Sequence, residues 1–515
     1  MKTTLVPLVG DFKENLYQLG IKEAESFRLL EERVARLLST NSFLRYGQDI
    51  LTRARTLFKK KNQSFWDECI ESYAEGLGID SSRYLSFISL FELAAHYGQV
   101  YPELKGLLPG CTSLFEKTPE GITHSRLLDF PLIELFEARP RLYYWQIEGK
   151  PTVLNFSCEG LAPLFFQALH ESGTSLALHH KPGENYHKDG QSIFQITFEM
   201  MFESVNFTDF KKEMRKKNSI TKWGYYLVDT KGLVQALDID GPNINAESFN
   251  LNDTSSLIFT NIPLQKELAG HESYIQFSED RQIWLKNKLK SRKNEHVLDL
   301  LLDVEDQKSR KWIHSSGTLS TVGAIHLNLS EGFMDIKEGN DALVKSDQIR
   351  RFSLGEKNQG EIIKAAKSPN SFEKAWKRAS KAQSAFDQGH MDVAYHELQM
   401  AEAQMPNQVW KHIFKFYLCL WDFRSVKNSK ELSLVYTELK KLDVPPQLKD
   451  QWLLLCMRLE KTLSLALTVD PSQVSPHLQN QFIKEKDASR ALFNTWMKLL
   501  YPRMEILDIF SPHHK

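Results

Sequence analysis

Cysteine is scarce in this chain: five among 515 residues, Cys69, Cys111, Cys158, Cys419 and Cys456. An odd, widely spaced set argues against a disulfide framework and suits a reducing compartment. Net charge is missing as well. Lys plus Arg is 65 and Asp plus Glu is 65, so no overall field favours nucleic acid or an anionic membrane. The basic clusters at Lys59-Lys60-Lys61 and between Lys211 and Lys217 read as local solvated surface. No apolar run reaches the ~18 residues of a membrane helix, and the opening Thr3–Gly10 segment is too short and too Pro-broken for a signal peptide. A cytoplasmic chain with neither membrane nor nucleic-acid partners is the expectation, and triplets such as Asn155-Phe156-Ser157 are then incidental. His179, His180 and His187 have no metal-ligand spacing, and no cofactor is expected.

What is present is concentrated between Gly110 and Phe130. Leu107-Leu108-Pro109-Gly110 approaches as a loop, and Cys111 opens an apolar-alternating run. Thr118-Pro119-Glu120-Gly121 turns the chain, and a second run carries Arg126 and Asp129. Pro early and Gly late in such a connection predict a β-hairpin. Folded about that turn, Cys111 comes back to within about a residue of Leu128 and Asp129. A thiol, a guanidinium and a carboxylate then meet at one end of two strands. Arg126 and Asp129 are three apart, so a regular strand points them to opposite faces, and convergence needs a bulge or an early strand end.

A cysteine attacks as its thiolate, which a nearby cation favours. No histidine stands in a recognisable context to serve Cys111 as base. Cleavage of the Gly110–Cys111 bond would give Cys111 a base of its own, because an α-amino group titrates near about 7.7–8.0. Asp129 would hold that amine, and Arg126 would order the pocket.

Gly-Cys-Thr-Ser, a turn, and Arg126-Leu127-Leu128-Asp129-Phe130 together resemble the N-terminal-nucleophile (Ntn) cysteine hydrolases. These include choloylglycine hydrolases, acid ceramidase, acid amidases and isopenicillin N acyltransferases. Later stretches resemble the family in the same order. His170-Glu171-Ser172-Gly173 is similar to its Asn-x-x-Gly turn, so the His170 backbone N–H would be an oxyanion donor. Thr260-Asn261 resembles its Thr-Asn, which would make the Asn261 amide the second donor. Ser278-Glu279-Asp280-Arg281 resembles its Ser-x-x-Arg, and Arg281 would be a second arginine of the site. The resemblance covers roughly residues 1–345. It implies an α+β fold, a four-layer αββα sandwich, and a self-cleaving hydrolase of linear amide bonds acting on a small-molecule or peptide-like N-acyl amide. An acyltransferase, a papain-type enzyme and a degenerate helical scaffold are the competing readings.

Around that core, residues 1–110 read as a helical arm introduced by a strand at residues 4–10, and 111–345 as the catalytic core. Helix is expected from Glu199 to Asn218 and again from Ser219, followed by a hairpin over Tyr225–Asp238. Residues 346–370 read as a polar linker. Residues 371–515 read as an all-helical domain. There Ala375, Ala379, Ala382, Gly389, Ala394 and Ala401 suit a tetratricopeptide-like helical hairpin, and this domain is expected to offer a surface to a protein partner.

Overall fold

A computed structural model describes residues 2–38, 64–100, 110–130, 140–183, 185–265, 272–292, 295–304, 316–355, 359–425 and 428–499. Leu107–Pro109, the Lys59–Lys61 triplet and residues 131–139 lie outside them. The chain is α+β, with two sheets and a helical C-terminal third.

The first sheet has eight strands in the order β1 (Thr4–Gly10), β4 (Pro140–Ile147), β5 (Val153–Cys158), β6 (Gln167–His170), β7 (Ser175–His180), β8 (Trp223–Val228), β9 (Leu233–Asp240) and β10 (Asn243–Asn250). The second has seven: β11 (Ser256–Phe259), β2 (Gly110–Thr118), β3 (Gly121–Asp129), β12 (Thr321–Asn328), β13 (Phe333–Glu338), β14 (Gln348–Ser353) and β15 (Glu361–Lys364). The expected hairpin is β2–β3, with Cys111 opposite Leu128 and Gly110 opposite Asp129.

Alternation along the second sheet separates two cores. Cys111, Phe115, Leu128, Ile325 and Leu327 face the interior shared with the first sheet. Leu114, Leu127, Ala324 and Ile349 face the opposite way, onto Trp284, Leu285 and Leu298. Those last residues belong to helices α6 (Glu272–Lys290) and α7 (Val297–Leu301). Trp145 of the first sheet and Phe165 of the β5–β6 connection pack against Phe198 and Phe202 of α4 (Ile193–Glu203). Helices α1 (Phe12–Leu38), α2 (Phe65–Leu77) and α3 (Ser81–Val100) add Phe27, Trp66, Tyr73 and Tyr84 to the same core.

Several expectations need correction. The helix read from Glu199 to Asn218 is two helices, α4 and α5 (Phe207–Met214), because Asn206 accepts from Thr208 N and Asp209 N and starts a new one. No helix begins at Ser219. That segment forms a bridge to Gln191 before β8. Residues 346–370 are not simply a linker: β14 and β15 complete the second sheet there, with Arg350 and Arg351 paired to Glu338 and Asp335. Polar residues on a sheet edge read as a loop when their ion-pair partners lie elsewhere in the sequence.

The C-terminal helices α8 (Ser371–Asp387), α9 (Met391–Gln404), α10 (Gln408–Ser425), α11 (Ser429–Lys440), α12 (Lys449–Thr462), α13 (Pro476–Asp487) and α14 (Arg490–Leu499) follow in order, and from α8 to α13 each packs on the next. Their core includes Trp376, Trp410 and Trp421. Ser380 Oγ donates to Leu319 O, and Ser346 N donates to Glu373 Oε1, so α8 is anchored to the second sheet's loops.

The arm before Cys111 is built into the core by buried carboxyls. Glu23 accepts from Tyr73, Tyr143 (3.0 Å) and Gly160 N (2.9 Å). Glu92 accepts from Ser192, Thr221 and Ile193 N. Burial pushes each up to about 7, against the hydrogen bonds, which pull the other way. Because the folded value lies above the unfolded one, each contributes stability that is full below about pH 4.5 and lost as pH rises through about 7. That is roughly 3 kcal/mol each at about 1.4 kcal/mol per pH unit. Thermal melts are expected to show higher stability at pH 5 than at pH 8. The double variant Glu23→Gln/Glu92→Gln should flatten that slope, and an unchanged slope would remove these carboxyls as its cause.

Candidate active site

Cys111 stands second in β2 with its side chain toward the first sheet, and it is 2 % exposed. Each polar part of this residue is held by a side chain from outside its own strand. Its N–H donates to Asn261 Oδ1 at 2.9 Å. Its carbonyl accepts from Arg281 at 3.1 Å. Its Sγ accepts from Arg126 at 3.3 Å.

Arg126 lies on the inner face of β3, two residues short of the position opposite Cys111. Its guanidinium also donates to Phe166 O and Leu178 O of the first sheet. Those two carbonyls fix the guanidinium against the Cys111 sulfur.

Asp129 is on the other face. The β2–β3 register runs unbroken to Gly110 opposite Asp129, so no bulge in β3 brings it round to Arg126. Instead the two groups flank Cys111 from opposite sides. Asp129 accepts from Thr321 Oγ1 at 2.6 Å and pairs with Arg281 at 3.3 Å, with both charged side chains buried. Thr321 comes into reach where β12 shifts register between Thr321 and Gly323.

Arg281 arrives on α6. Ser278, Arg281 and Leu285 recur at three and four residues, so they share the helix face turned to the sheet. Fully buried, Arg281 also donates to Thr112 Oγ1 (3.1 Å), Ser278 Oγ (3.3 Å) and Asn261 Oδ1 (2.7 Å). Asn261 follows β11, which pairs with β2 through Phe259 opposite Ser113. Two donors, Cys111 N and Arg281, converge on Oδ1, so the amide orientation follows from the network. One Nδ2 proton is committed to His180 O at 2.9 Å, and an oxyanion role would fall to the other.

Gly110 precedes Cys111 at very close quarters. A Cβ there would lie 2.9 Å from Asp129 Oδ2 and 3.5 Å from the Arg281 guanidinium. A side chain would press on the carboxylate, which accounts for glycine at this position.

His170 is the site residue the structure does not bring in. It ends β6, with its N–H donating to Thr174 O and its Nδ1 bonded to Ser172. Its ring packs edge-on against Phe210. The N–H is used inside its own turn, so the oxyanion donation implied by the resemblance is not available from it.

Four polar residues near Cys111 were given no role at this site by the sequence reading. On the inner face Ser113 joins His179 Nε2 (2.8 Å) and His124 Nε2 (3.1 Å). Burial and the adjacent Arg126 charge hold both imidazoles well below their ordinary range, so they are neutral. His179 Nδ1 faces Thr260 O at 3.4 Å, which places its proton there and leaves Nε2 to accept from Ser113. The fourth is Lys181, just beyond β7, with its ammonium buried. No spacing rule marks these residues. They meet because two sheets face each other.

No protein-family model and no curated protein matches this chain. Solved structures similar to it include an N-acylethanolamine-hydrolyzing acid amidase of Caenorhabditis elegans: 14 % identity over 42 % of this chain and 93 % of that one, TM-score 0.32. A conjugated bile acid hydrolase of Clostridium perfringens is 11 % identical over 50 % of this chain and 99 % of that one, TM-score 0.33. A penicillin V acylase of Agrobacterium tumefaciens has 11 % identity, the same coverages and TM-score 0.31. All three are members of the Ntn-hydrolase superfamily. At these identities and TM-scores, residue roles in this chain rest on its own geometry.

Proposed function

We propose that this chain is an N-terminal-cysteine amide hydrolase that matures by cutting itself between Gly110 and Cys111. The observation that carries the reading is the grip on Cys111 just described, with amide nitrogen, carbonyl and sulfur each held by a buried side chain. A merely structural buried cysteine needs none of this.

In maturation the Cys111 thiolate adds to the Gly110 carbonyl. The S–C bond forms, the C–N bond breaks, and the Cys111 nitrogen takes the proton. That break frees the α-amine; water then hydrolyses the thioester, freeing the thiol and leaving Gly110 with a new carboxylate. That amine would rest between Asn261 Oδ1 and the Asp129 carboxylate, two acceptors already beside the scissile bond. In turnover it takes the Sγ proton as sulfur attacks an amide carbonyl, and returns a proton to the leaving amine. The acyl group then passes from sulfur to water, or to an amine in the transferase variant. A four-layer αββα arrangement of the core and a tetratricopeptide-like role for α8 and α9 belong to the same reading.

Intact-mass measurement tests it. Cleavage predicts fragments of 110 and 405 residues, since 515 minus 110 is 405. Cys111→Ala should stay whole. Because β1 pairs with β4 over residues 4–10 and Glu23 and Glu92 lie in the arm, the fragments should co-elute as one particle. A wild-type chain that turns over amides while staying whole would overturn the reading.

A further inference from the structure

Asn261 holds the nucleophile, but little regular structure holds Asn261. β11 ends at Phe259, and residues 260–265 form no ladder. A side chain on an irregular loop keeps sub-ångström placement only if its backbone is fixed from outside.

The ammonium of Lys181 meets that need. Its Nζ donates to Thr260 O at 2.9 Å and Ile262 O at 2.6 Å, the carbonyls on either side of Asn261. It also donates to Tyr226 Oη at 2.5 Å. An ammonium has three donors and no acceptor, so it suits a nest of three oxygens. Tyr226 is itself set by stacking on Phe259, with ring centroids 4.5 Å apart. Farther along the loop, Leu264 N donates to Asp238 Oδ2 at 2.7 Å.

The lysine stem has a built passage. It crosses β8 at Gly224, where a Cβ would come within 2.5 Å of Lys181 Cε and 3.3 Å of Asp238 Oδ1. Any other residue at that position would displace the stem or the carboxylate.

We propose that Lys181 is a positioning residue of the Cys111 site. It pins the two peptide groups flanking Asn261 and so keeps the Asn261 amide on the Cys111 nitrogen and the His180 carbonyl. The claim that this serves catalysis rests on the function proposed above; the claim that it holds Asn261 does not.

The charged form does the holding. Burial lowers Lys181 to about 8, opposed by Asp238 on β9 and Cys111 on β2 and assisted by Lys222 and Arg281. Tyr226 on β8 is raised by burial and stays neutral. As pH rises through about 8 the ammonium loses a proton, and one of its three donors goes with it.

Lys181→Met, which keeps the stem and removes the donors, is the test, read in two independent ways. The first is crystallographic, in a Cys111→Ala background so that every chain is whole. Lys181→Met should let the Asn261 amide leave the nitrogen of residue 111 by about 1 Å or more, a displacement that is worth about 10²-fold in rate. Asn261 remaining within hydrogen-bond distance would overturn the proposal. The second is kinetic, with Cys111 intact. Cleavage at Gly110–Cys111 should slow by about 10²-fold while the melting temperature moves by a few degrees. The wild-type rate should show a falling limb near pH 8 that the variant lacks. A lysine that only stabilises the fold would lower the melting temperature and leave the rate and pH profile of the folded protein alone. If the wild type does not cleave, the proposed function fails and the crystallographic arm still decides Lys181. Should Lys181→Met not fold, Lys181→Gln is judged by the same distance and rate.

Discussion

Arg281→Met is expected to abolish cleavage at Gly110–Cys111 and to lower stability by about 3–5 kcal/mol, the range for removing one partner of a buried ion pair. Its guanidinium links the Cys111 carbonyl, Thr112, Asp129, Asn261 and Ser278 in one buried cluster. Without it the buried Asp129 carboxylate loses its ion-pair partner. The two effects can be separated. Arg281→Met/Asp129→Leu removes both charges and should recover much of the stability in denaturant unfolding, yet remain whole by intact mass. Single-variant protein that is cleaved at the wild-type rate would place Arg281 outside the machinery.

Asn261→Ala is the other large effect. Loss of one preorganised polar contact to a reacting centre lowers the rate by about 10²–10³-fold, roughly 2.7–4 kcal/mol. Here it should slow single-turnover acylation of Cys111 by p-nitrophenyl acetate by that factor. The stability change is smaller, about 1–3 kcal/mol, from leaving Cys111 N–H and Arg281 short of an acceptor. Asn261→Asp sharpens the reading because it keeps an oxygen for the Cys111 nitrogen and removes the Nδ2 donor. If holding the nitrogen is the main task, Asp should acylate faster than Ala. If Nδ2 serves the oxyanion, the two should be equally slow. Acylation of Asn261→Ala at the wild-type rate would take Asn261 out of the site.

How much of this was legible in the residues varies with distance along the chain. Turn chemistry at Pro119 and Gly121 is local, so the hairpin and the return of Cys111 to within about a residue of Leu128 and Asp129 could be read directly, and the structure sets the pair as Cys111 opposite Leu128. The Arg126–Asp129 spacing already said the two groups face opposite ways, and they do. Segment identity misled at His170, where the turn matched but its N–H was committed to Thr174. It misled again at 346–370, which read as a polar linker although Arg350 and Arg351 there pair with Glu338 and Asp335 of β13.

The sequence by itself determined the hairpin that carries Cys111, the mixed α+β character and the helical C-terminal third. Each depends on periodicity and turn residues within a window of about twenty positions. Only the tertiary structure decided which atoms of Cys111 each distant residue holds, and that Lys181 belongs beside them. Asn261 lies 150 residues from Cys111 and Arg281 lies 170 away. Lys181 reaches the Asn261 loop across some 80 positions. Contacts at that separation leave no periodic trace, because they are set by which sheet faces which, and the chain assembles that only when both cores close.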